Sequence, residues 1–201
     1  MCVDAENSDV NLARHLQDLL RQSFDLILIC DYGHGFFSEN LIAELAEAGH
    51  VLAVNTQANA GNRGFNTIGK YPRADFVCLN GGELALELRR KHATVDDLVP
   101  EIQERLATKS LIVTEGADGV FICPSGGGSV RVPAFAPFVR DRVGAGDALF
   151  AVTSLTQALG AAPEITGFWG NLAGAAAVAQ LGNREPINHT DLLRHAIAIL
   201  K

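Results

Sequence analysis

Short apolar runs alternate with helical patterns along this chain, and this alternation restricts the possible fold more than any other feature. Between the apolar runs lie segments with helical signals, such as the one that Ser38 is expected to cap and Gly49 to end. Strands separated by helices predict parallel pairing, so we expect an α/β layered domain. Four runs have the length and composition of buried strands: FDLILIC (24–30), HVLAVN (50–55), DFVCLN (75–80) and SLIVTEG (110–116).

The second half of the chain has a different pattern. GVFICP and SVRVPAF flank the turn sequence SGGG, which predicts a β-hairpin, and three helical segments follow it. Residues 56–73 are irregular and rich in Asn and Gly, a length that suggests a functional loop. No linker divides the chain, so we expect residues 1–201 to form a single domain.

Composition excludes several classes of function. With 48% hydrophobic residues in 201, the chain can bury one sizeable core, while a net charge of −7 argues against a nucleic-acid partner. The most apolar stretch, residues 165–181, contains Asn171 and is too short for a membrane span. The polar, acidic N-terminus and four dispersed cysteines (Cys2, Cys30, Cys78 and Cys123) predict a reduced, cytoplasmic protein.

The stretch RDRVGAGDALF (140–150) has the composition of an anion-binding turn. Gly144 and Gly146 permit a tight turn with exposed amides, and the apolar run that follows predicts a helix whose N-terminus favours negative charge. Asp147 would compete with a bound phosphate unless it accepts the proton of a hydroxyl that attacks this phosphate. The alternative is a glycine-rich loop in which Asp147 only caps the helix or complements its dipole.

Four motifs in order resemble those of one family. DRVGAGDALF resembles the D-T-x-G-A-G-D-x-F signature of the ribokinase-like (pfkB) carbohydrate kinases. NGGE (80–83), VTEGADGV (113–120) and NLAGAAAVAQLG (171–182) resemble the N-x-x-E motif, the V-T-x-G-x-x-G turn and the late adenine-pocket helix of this family. The resemblance implies a three-layer ribokinase-like domain with a mostly parallel sheet, and ATP-dependent phosphoryl transfer to a sugar or sugar phosphate.

The resemblance also implies a role for each matching residue. Asp147 would be the base beside an anion hole formed by Gly144, Ala145 and Gly146. Asn80 and Glu83 would act on Mg²⁺ through its water shell, and the nucleotide would lie along Thr114, Gly116, Gly119 and Asn171. Each of these smaller motifs has a structural alternative: an ordinary helix start, an ordinary strand end, and a satisfied polar residue in a buried helix.

Two segments depart from the family patterns. DYGHG (31–35) is similar to the D-Y-x-K-G stretch of the heptose-kinase branch, with His34 in place of the lysine. This similarity implies that Asp31 and His34 contact the substrate. The alternative is that His34 is an ordinary surface residue. Arg142 stands where the family has Thr or Ser, next to the aspartate of a monovalent-cation site. Our hypothesis is that its guanidinium supplies the charge that K⁺ provides in relatives.

Members of the family carry an N-terminal half with a lid over the sugar, and the matching motifs here correspond to the C-terminal portion only. We therefore expect a fragment of a longer kinase, whose sugar pocket is mostly outside these residues; the alternatives are a second chain that supplies the missing part, or a remnant without catalysis. Exposed apolar surface would then favour a homo-oligomer or association with the missing domain. A non-catalytic nucleotide-binding or interaction module derived from such a kinase stays open as the second function.

Overall fold

The computed structural model describes residues 14–182 and 184–201 of the chain. Cys2 lies outside the described residues. The strands are β1 (Ile27–Asp31), β2 (Leu52–Thr56), β3 (Phe76–Asn80), β4 (Ser110–Thr114), β5 (Val120–Pro124) and β6 (Val130–Val132). The helices are α1 (residues 14–20), α2 (Glu39–Glu47), α3 (Gly81–Glu87), α4 (Val95–Leu106), α5 (Ala145–Ala158), α6 (Pro163–Val178) and α7 (His189–Ile199).

The six strands form one sheet in the order β1-β2-β3-β4-β5-β6, in which β1 to β4 are parallel. The β4–β5 and β5–β6 pairs are antiparallel, so the predicted hairpin around SGGG is confirmed. Asp31 pairs with Thr56 and Asn80 pairs with Thr114. The carboxyl ends of the parallel strands therefore lie along one edge of the sheet, where α/β domains place their ligands.

Helices cover both faces of the sheet. Because successive side chains of a strand point to opposite faces, alternate strand residues pack into two separate cores. Val54, Val77 and Leu111 pack on one face with residues of α2 and α4. On the other face, Ala53, Cys78 and Ile112 pack against Leu149 and Phe150 of α5. The chain thus has three layers with a mostly parallel sheet. Burial of each large apolar side chain contributes about 1.5–3 kcal/mol to the stability of the folded state.

Local sequence signals explain where several helices begin and end. The Ser38 side chain accepts a hydrogen bond from the Leu41 amide at the start of α2, and Gly49 follows the helix with a φ of 76°. The helical pattern of GELALELRRKH (82–92) predicts a longer α3, extending through residue 92. The helix instead ends in a Schellman motif: Arg90 N donates to Ala85 O at 3.0 Å, and Arg89 is left-handed with a φ of 54°.

Asp75 connects several elements at the amino end of the sheet. Its carboxylate accepts a hydrogen bond from the Leu52 amide at 2.9 Å and pairs with Arg73 at 2.6 Å and Lys109 at 3.0 Å. Burial alone would raise the pKa of this carboxyl, but the Leu52 amide and the two cations outweigh burial and lower it. Asp75 therefore stabilises the fold in its ionised form.

Within the described residues, β1 has a pairing partner on one side only. Leu28 on this strand is 37% exposed, and Phe24 and Phe36 near its two ends are also exposed.

Cys30, Cys78 and Cys123 are free thiols. Among the helices that the structure describes, not one combines the length and the apolarity that crossing a bilayer requires.

Candidate functional site

The first turn of α5 presents free backbone amides at the carboxyl edge of the sheet. Gly144 precedes the helix in a left-handed conformation, with a φ of 78°, and supplies no capping side chain. Ala145 N donates to Arg142 O at 3.4 Å and Ala148 N donates to Gly144 O at 2.9 Å, whereas the described residues provide no acceptor for the amides of Gly146 and Asp147. The helix dipole and these free N–H groups favour an anion here.

Two side chains donate to the carboxylate of Asp147. The hydroxyl of Tyr32 donates to Oδ2 at 3.0 Å, and Gln57 Nε2 donates to Oδ1 at 2.8 Å. Burial, the hydrogen bond to Asp147 and the negative charge of Asp147 raise the pKa of Tyr32 to about 12. The sequence motifs mark neither donor, although each directly follows the end of a parallel strand, where α/β sheets place their ligands.

The irregular loop after β2 holds Gln57 in place. Gln57 N donates to Asp31 O at 2.9 Å, and Asn66 Nδ2 donates to Gln57 O at 3.1 Å and to Asp31 O at 2.8 Å. Because Asn66 bridges the ends of β1 and β2, the backbone that carries Gln57 is fixed relative to the sheet. The loop that the sequence singled out as functional thus supports a side chain that contacts Asp147.

The carboxylate of Asp31 is buried and bonded to groups of the same chain. It accepts hydrogen bonds from Gly33 N at 2.9 Å and Tyr71 Oη at 2.8 Å, and it forms an ion pair with Lys70. Burial, followed by the hydrogen bond with Asp31, raises the pKa of Tyr71. His34 is exposed, with its ring stacked 6.4 Å from that of Tyr32. Substrate contacts by Asp31 and His34 stay predictions.

Asn80 and Glu83 form the capping box of α3 at the carboxyl end of β3. Glu83 Oε2 accepts from Asn80 N at 2.9 Å, Asn80 Oδ1 accepts from Glu83 N at 2.9 Å, and Glu83 Oε1 accepts from Ala58 N at 3.2 Å. Burial raises the pKa of Glu83, although these hydrogen bonds oppose the shift. In residues 14–182 and 184–201, no three His, Cys, Asp or Glu side chains come together in a metal-binding group.

A cavity of about 330 Å³ lies beside the first turn of α5. Apolar side chains such as Phe135, Val139 and Leu149 contribute much of its wall, which suits a planar ring system with few polar contacts. The cavity brings together the four residues that were predicted to lie along the nucleotide, Arg142, and two residues of the predicted anion hole: Thr114, Gly116, Gly119, Asn171, Arg142, Ala145 and Gly146.

Close packing fixes the wall of this cavity around Gly119 and Asn171. A Cβ on Gly119 would lie 2.1 Å from Val132 O, and the φ of this glycine is 101°. Asn171 is 5% exposed, and its Nδ2 donates to Val132 O at 2.8 Å. Asn171 therefore has the hydrogen bond expected of a satisfied buried polar residue while it also lines the cavity.

The segment before α5 is attached to the residues after α6 through Asp141. Its carboxylate accepts hydrogen bonds from Val143 N at 3.0 Å and Gly182 N at 3.0 Å, and the Val143 bond is the main cause that lowers its pKa. Arg142 is exposed at the mouth of the cavity, and its guanidinium has no acceptor among the described residues. A further cavity of about 250 Å³ borders Gly144 and Asp147.

Comparison with known proteins gives consistent results. Residues 36–190 match the family model described as pfkB family carbohydrate kinase. The chain is 30% identical over 143 residues to the bifunctional protein HldE of Rhodopseudomonas palustris (strain BisB5), covering 70% of this chain and 29% of that protein. For HldE of Citrifermentans bemidjiense, the identity is 26% over 199 residues, covering 87% and 40%. The chain thus spans about a third of the length of these relatives.

Solved structures with the same fold include phosphofructokinase-2 from Escherichia coli in complex with substrates and products. The TM-score is 0.75 at 22% identity, and the match covers 95% of this chain and 63% of that one. Ribokinase from Thermotoga maritima gives a TM-score of 0.70 at 20% identity, covering 90% and 59%. The predicted three-layer ribokinase-like fold is therefore confirmed. Since the family model matches most of the chain, the chain belongs to the pfkB family of carbohydrate kinases.

Proposed function

We propose that this chain carries the nucleotide-binding and phosphoryl-transfer part of an enzyme that moves the γ-phosphoryl group of ATP to a hydroxyl of a sugar or sugar phosphate. The observation that carries the proposal is the first turn of α5, where the free amides of Gly146 and Asp147 lie between a carboxylate and a cavity of about 330 Å³. Phosphoryl transfer requires mainly positioning and charge stabilisation, and these groups supply both.

In the proposed reaction, the acceptor hydroxyl oxygen forms a bond to the γ-phosphorus while the bond between that phosphorus and the β–γ bridging oxygen breaks, releasing ADP. The hydroxyl proton passes to Asp147. Gln57 occupies Oδ1 and Tyr32 occupies Oδ2 in the ligand-free chain. The acceptor hydroxyl would replace the Tyr32 hydroxyl on Oδ2, while Gln57 keeps the carboxylate in its orientation.

The cavity beside α5 would hold the base and ribose of ATP, with Thr114, Gly116, Gly119 and Asn171 along its wall. Mg²⁺ would neutralise phosphate charge when it is bound with the nucleotide. Asn80 and Glu83 would contact the ion through its water shell. The carboxylate oxygens of Glu83 accept hydrogen bonds from two backbone amides, and each oxygen retains a further lone pair that can accept from a water of the ion.

Arg142 would provide a fixed positive charge beside the anion site. Its guanidinium is free of internal acceptors and lies on the rim of the proposed nucleotide cavity. In place of K⁺, such a charge would favour the ordered conformation of the Gly144–Gly146 turn. Phosphorylation that is nearly independent of added K⁺ is the expected result, and a steep rise in rate with K⁺ would refute this role.

The test uses the protein expressed from its complete reading frame, with ATP and a panel of sugars and sugar phosphates. Asp147→Asn is expected to lower the rate of phosphorylation by about 100-fold or more, because a positioned base contributes at least that factor. Asp191→Asn is the matched control, since it makes the same change in the first turn of α7. Equal rates for wild type and Asp147→Asn would show that this carboxylate is not the base.

A nucleotide-binding module without turnover is the second candidate. It is favoured by the two protein donors on Asp147, which leave neither carboxylate oxygen free of a protein contact. In that case, wild type and Asp147→Asn would bind ATP with equal affinity and neither would phosphorylate any acceptor. A measurable rate for any sugar or sugar phosphate would exclude this candidate.

A further inference from the structure

The hydroxyl of Tyr32 occupies the position on Asp147 that the proposed reaction requires of an acceptor hydroxyl. Tyr32 Oη donates to Asp147 Oδ2 at 3.0 Å. The amides of Gly146 and Asp147, which have no acceptor among the described residues, lie in the same first turn of α5. An acceptor in phosphoryl transfer must have its hydroxyl bonded to a base and placed beside the site that holds the phosphoryl group. The phenol of Tyr32 meets both requirements within the chain itself.

Two other side-chain hydroxyls donate to carboxylates in the part of the chain that the structure describes. Tyr71 Oη donates to Asp31 at 2.8 Å, but Tyr71 is only 1% exposed. Thr94 Oγ1 donates to Asp97 at 2.6 Å within the capping box of α4. The hydroxyl of Tyr32 differs from both, because its side chain is 39% exposed and its carboxylate partner lies at the edge of the proposed nucleotide cavity.

Contacts to the backbone and the ring hold Tyr32 in this position. Asn59 Nδ2 and Asn62 Nδ2, on the loop after β2, donate to Tyr32 O at 3.2 Å and 2.8 Å. The ring of His34 is stacked with that of Tyr32 at a centroid distance of 6.4 Å. A reacting group that is already held in place loses less entropy on the way to the transition state. The fold thus pre-organises the Tyr32 hydroxyl beside Asp147.

The phenol of Tyr32 requires a base before it can react. Burial, followed by the hydrogen bond to Asp147 and the charge of Asp147, raises the pKa of Tyr32 to about 12. At neutral pH the hydroxyl is therefore protonated, and a protonated hydroxyl is a weak nucleophile until a neighbouring base accepts its proton. Asp147 Oδ2 already accepts this hydrogen bond, so the path of the proton exists in the ligand-free chain.

We propose that, when no sugar is bound, the chain transfers the γ-phosphoryl group of ATP to its own Tyr32, which makes this residue a site of autophosphorylation. The inference rests on the proposed function, because it requires ATP beside α5 and Asp147 as the base. The phenolic oxygen forms a bond to the γ-phosphorus while the bond from that phosphorus to the β–γ bridging oxygen breaks, and ADP leaves. The phenolic proton passes to Asp147 Oδ2.

The test uses the protein expressed from its complete reading frame, with Mg²⁺, ATP labelled at the γ-phosphorus and no sugar. Mass spectrometry should find one phosphoryl group on Tyr32, the only tyrosine of the tryptic peptide 22–63. Tyr71 is the internal control and should carry none, because it is buried. Labelling should be lost in Tyr32→Phe, and it should fall about 100-fold or more in Asp147→Asn. Asp191→Asn should be labelled like the wild type, whereas equal labelling of Asp147→Asn would overturn the proposal.

Dilution and competition separate this inference from the proposed function. The rate constant of labelling should not change when the protein is diluted, because base and phenol belong to one chain; a rate constant that falls on dilution would contradict transfer within the chain. A sugar that the protein phosphorylates should suppress labelling of Tyr32, since both hydroxyls need Asp147 Oδ2. Phosphorylation of a sugar by a protein whose Tyr32 is never labelled would overturn this inference and leave the proposed function intact. Transfer to neither acceptor would refute the proposed function, and this inference with it.

A nucleotide analogue gives a readout that does not require transfer. In protein with isotope-labelled tyrosine rings, a non-hydrolysable ATP analogue should shift the ring signals of Tyr32 strongly, and ADP should shift them far less. The reason is that only the analogue brings a γ-phosphate to the hydroxyl. Signals of Tyr32 that respond equally to both nucleotides would contradict the placement of this hydroxyl at the γ-phosphoryl group.

Discussion

The contact between Tyr32 and Asp147 makes a prediction that does not depend on any catalytic activity. The hydroxyl of Tyr32 donates to Asp147 Oδ2 at 3.0 Å, so ionisation of the phenol would place two negative oxygens side by side. The pKa of Tyr32 is therefore raised from 10.0 to about 12. The substitution Asp147→Asn removes the negative charge and keeps the size of the side chain.

The magnitude of the change follows from the causes of the shift. Burial of the phenol is the largest cause and persists in the variant, whereas the hydrogen bond to the carboxylate and its charge come second and third and are lost. We therefore expect the pKa of Tyr32 in Asp147→Asn to fall part of the way, to a value between 10 and 12. A pKa of Tyr32 that returns to 10.0 in Asp147→Asn would show that Asp147 causes the whole shift and burial none of it.

Ultraviolet titration of the phenolate can measure this pKa because the chain contains only two tyrosines. Burial and the hydrogen bond with Asp31 raise the pKa of Tyr71 further than that of Tyr32, so Tyr32 ionises first. Asp191→Asn serves as the control and should leave the titration unchanged. An unchanged pKa of Tyr32 in Asp147→Asn would refute the contact, and with it the placement of Tyr32 at the position of the acceptor hydroxyl.

Three further predictions address the cavity, the fold and the proposed base. Gly119→Ala should lower the free energy of unfolding by more than about 3 kcal/mol, because its Cβ would lie 2.1 Å from Val132 O; Gly116→Ala, with no atom within 4 Å of its Cβ, should cost about 1–2 kcal/mol. Chemical denaturation compares the two, and equal losses would contradict the steric argument. The pKa of Asp75 is lowered, so the stability that this carboxylate contributes is present above the ordinary pKa of 3.8 and is lost as the pH falls below that value. Acid denaturation of Asp75→Asn should lack this part of the transition. An acid-denaturation profile identical to that of the wild type would refute the stabilising role of Asp75. Gln57→Leu should lower kcat of the complete enzyme about 10-fold while KM for ATP stays constant, because Gln57 orients the base and does not line the nucleotide cavity. Steady-state kinetics measures both constants, and a change in KM for ATP alone would contradict this role.

Local patterns in the sequence predict the strands and most helix starts because each depends on neighbouring residues. The continuous apolar runs of β2, β3 and β4 are buried on both faces, as parallel strands between helices must be. Ser38 is both the predicted and the observed cap of α2. The early end of α3 was not predictable in the same way, since Arg89 adopts a left-handed conformation that its residue type disfavours.

The contacts that complete the candidate site join residues far apart in sequence. Tyr32 and Gln57 lie 115 and 90 positions from Asp147, and no local pattern indicates that these side chains meet. The motifs predict which strand ends carry function, whereas the partners of each functional side chain follow from the packing of the layers.

The most direct test of the central claim is to follow the backbone amide signals of Gly146 and Asp147 by nuclear magnetic resonance while nucleotide is added. If the first turn of α5 holds the γ-phosphoryl group, a non-hydrolysable ATP analogue should shift both signals strongly, and ADP should shift them far less. Both nucleotides should shift the signals of Thr114 and Gly119 equally. Signals of Gly146 and Asp147 that respond to neither nucleotide, or equally to both, would contradict the account.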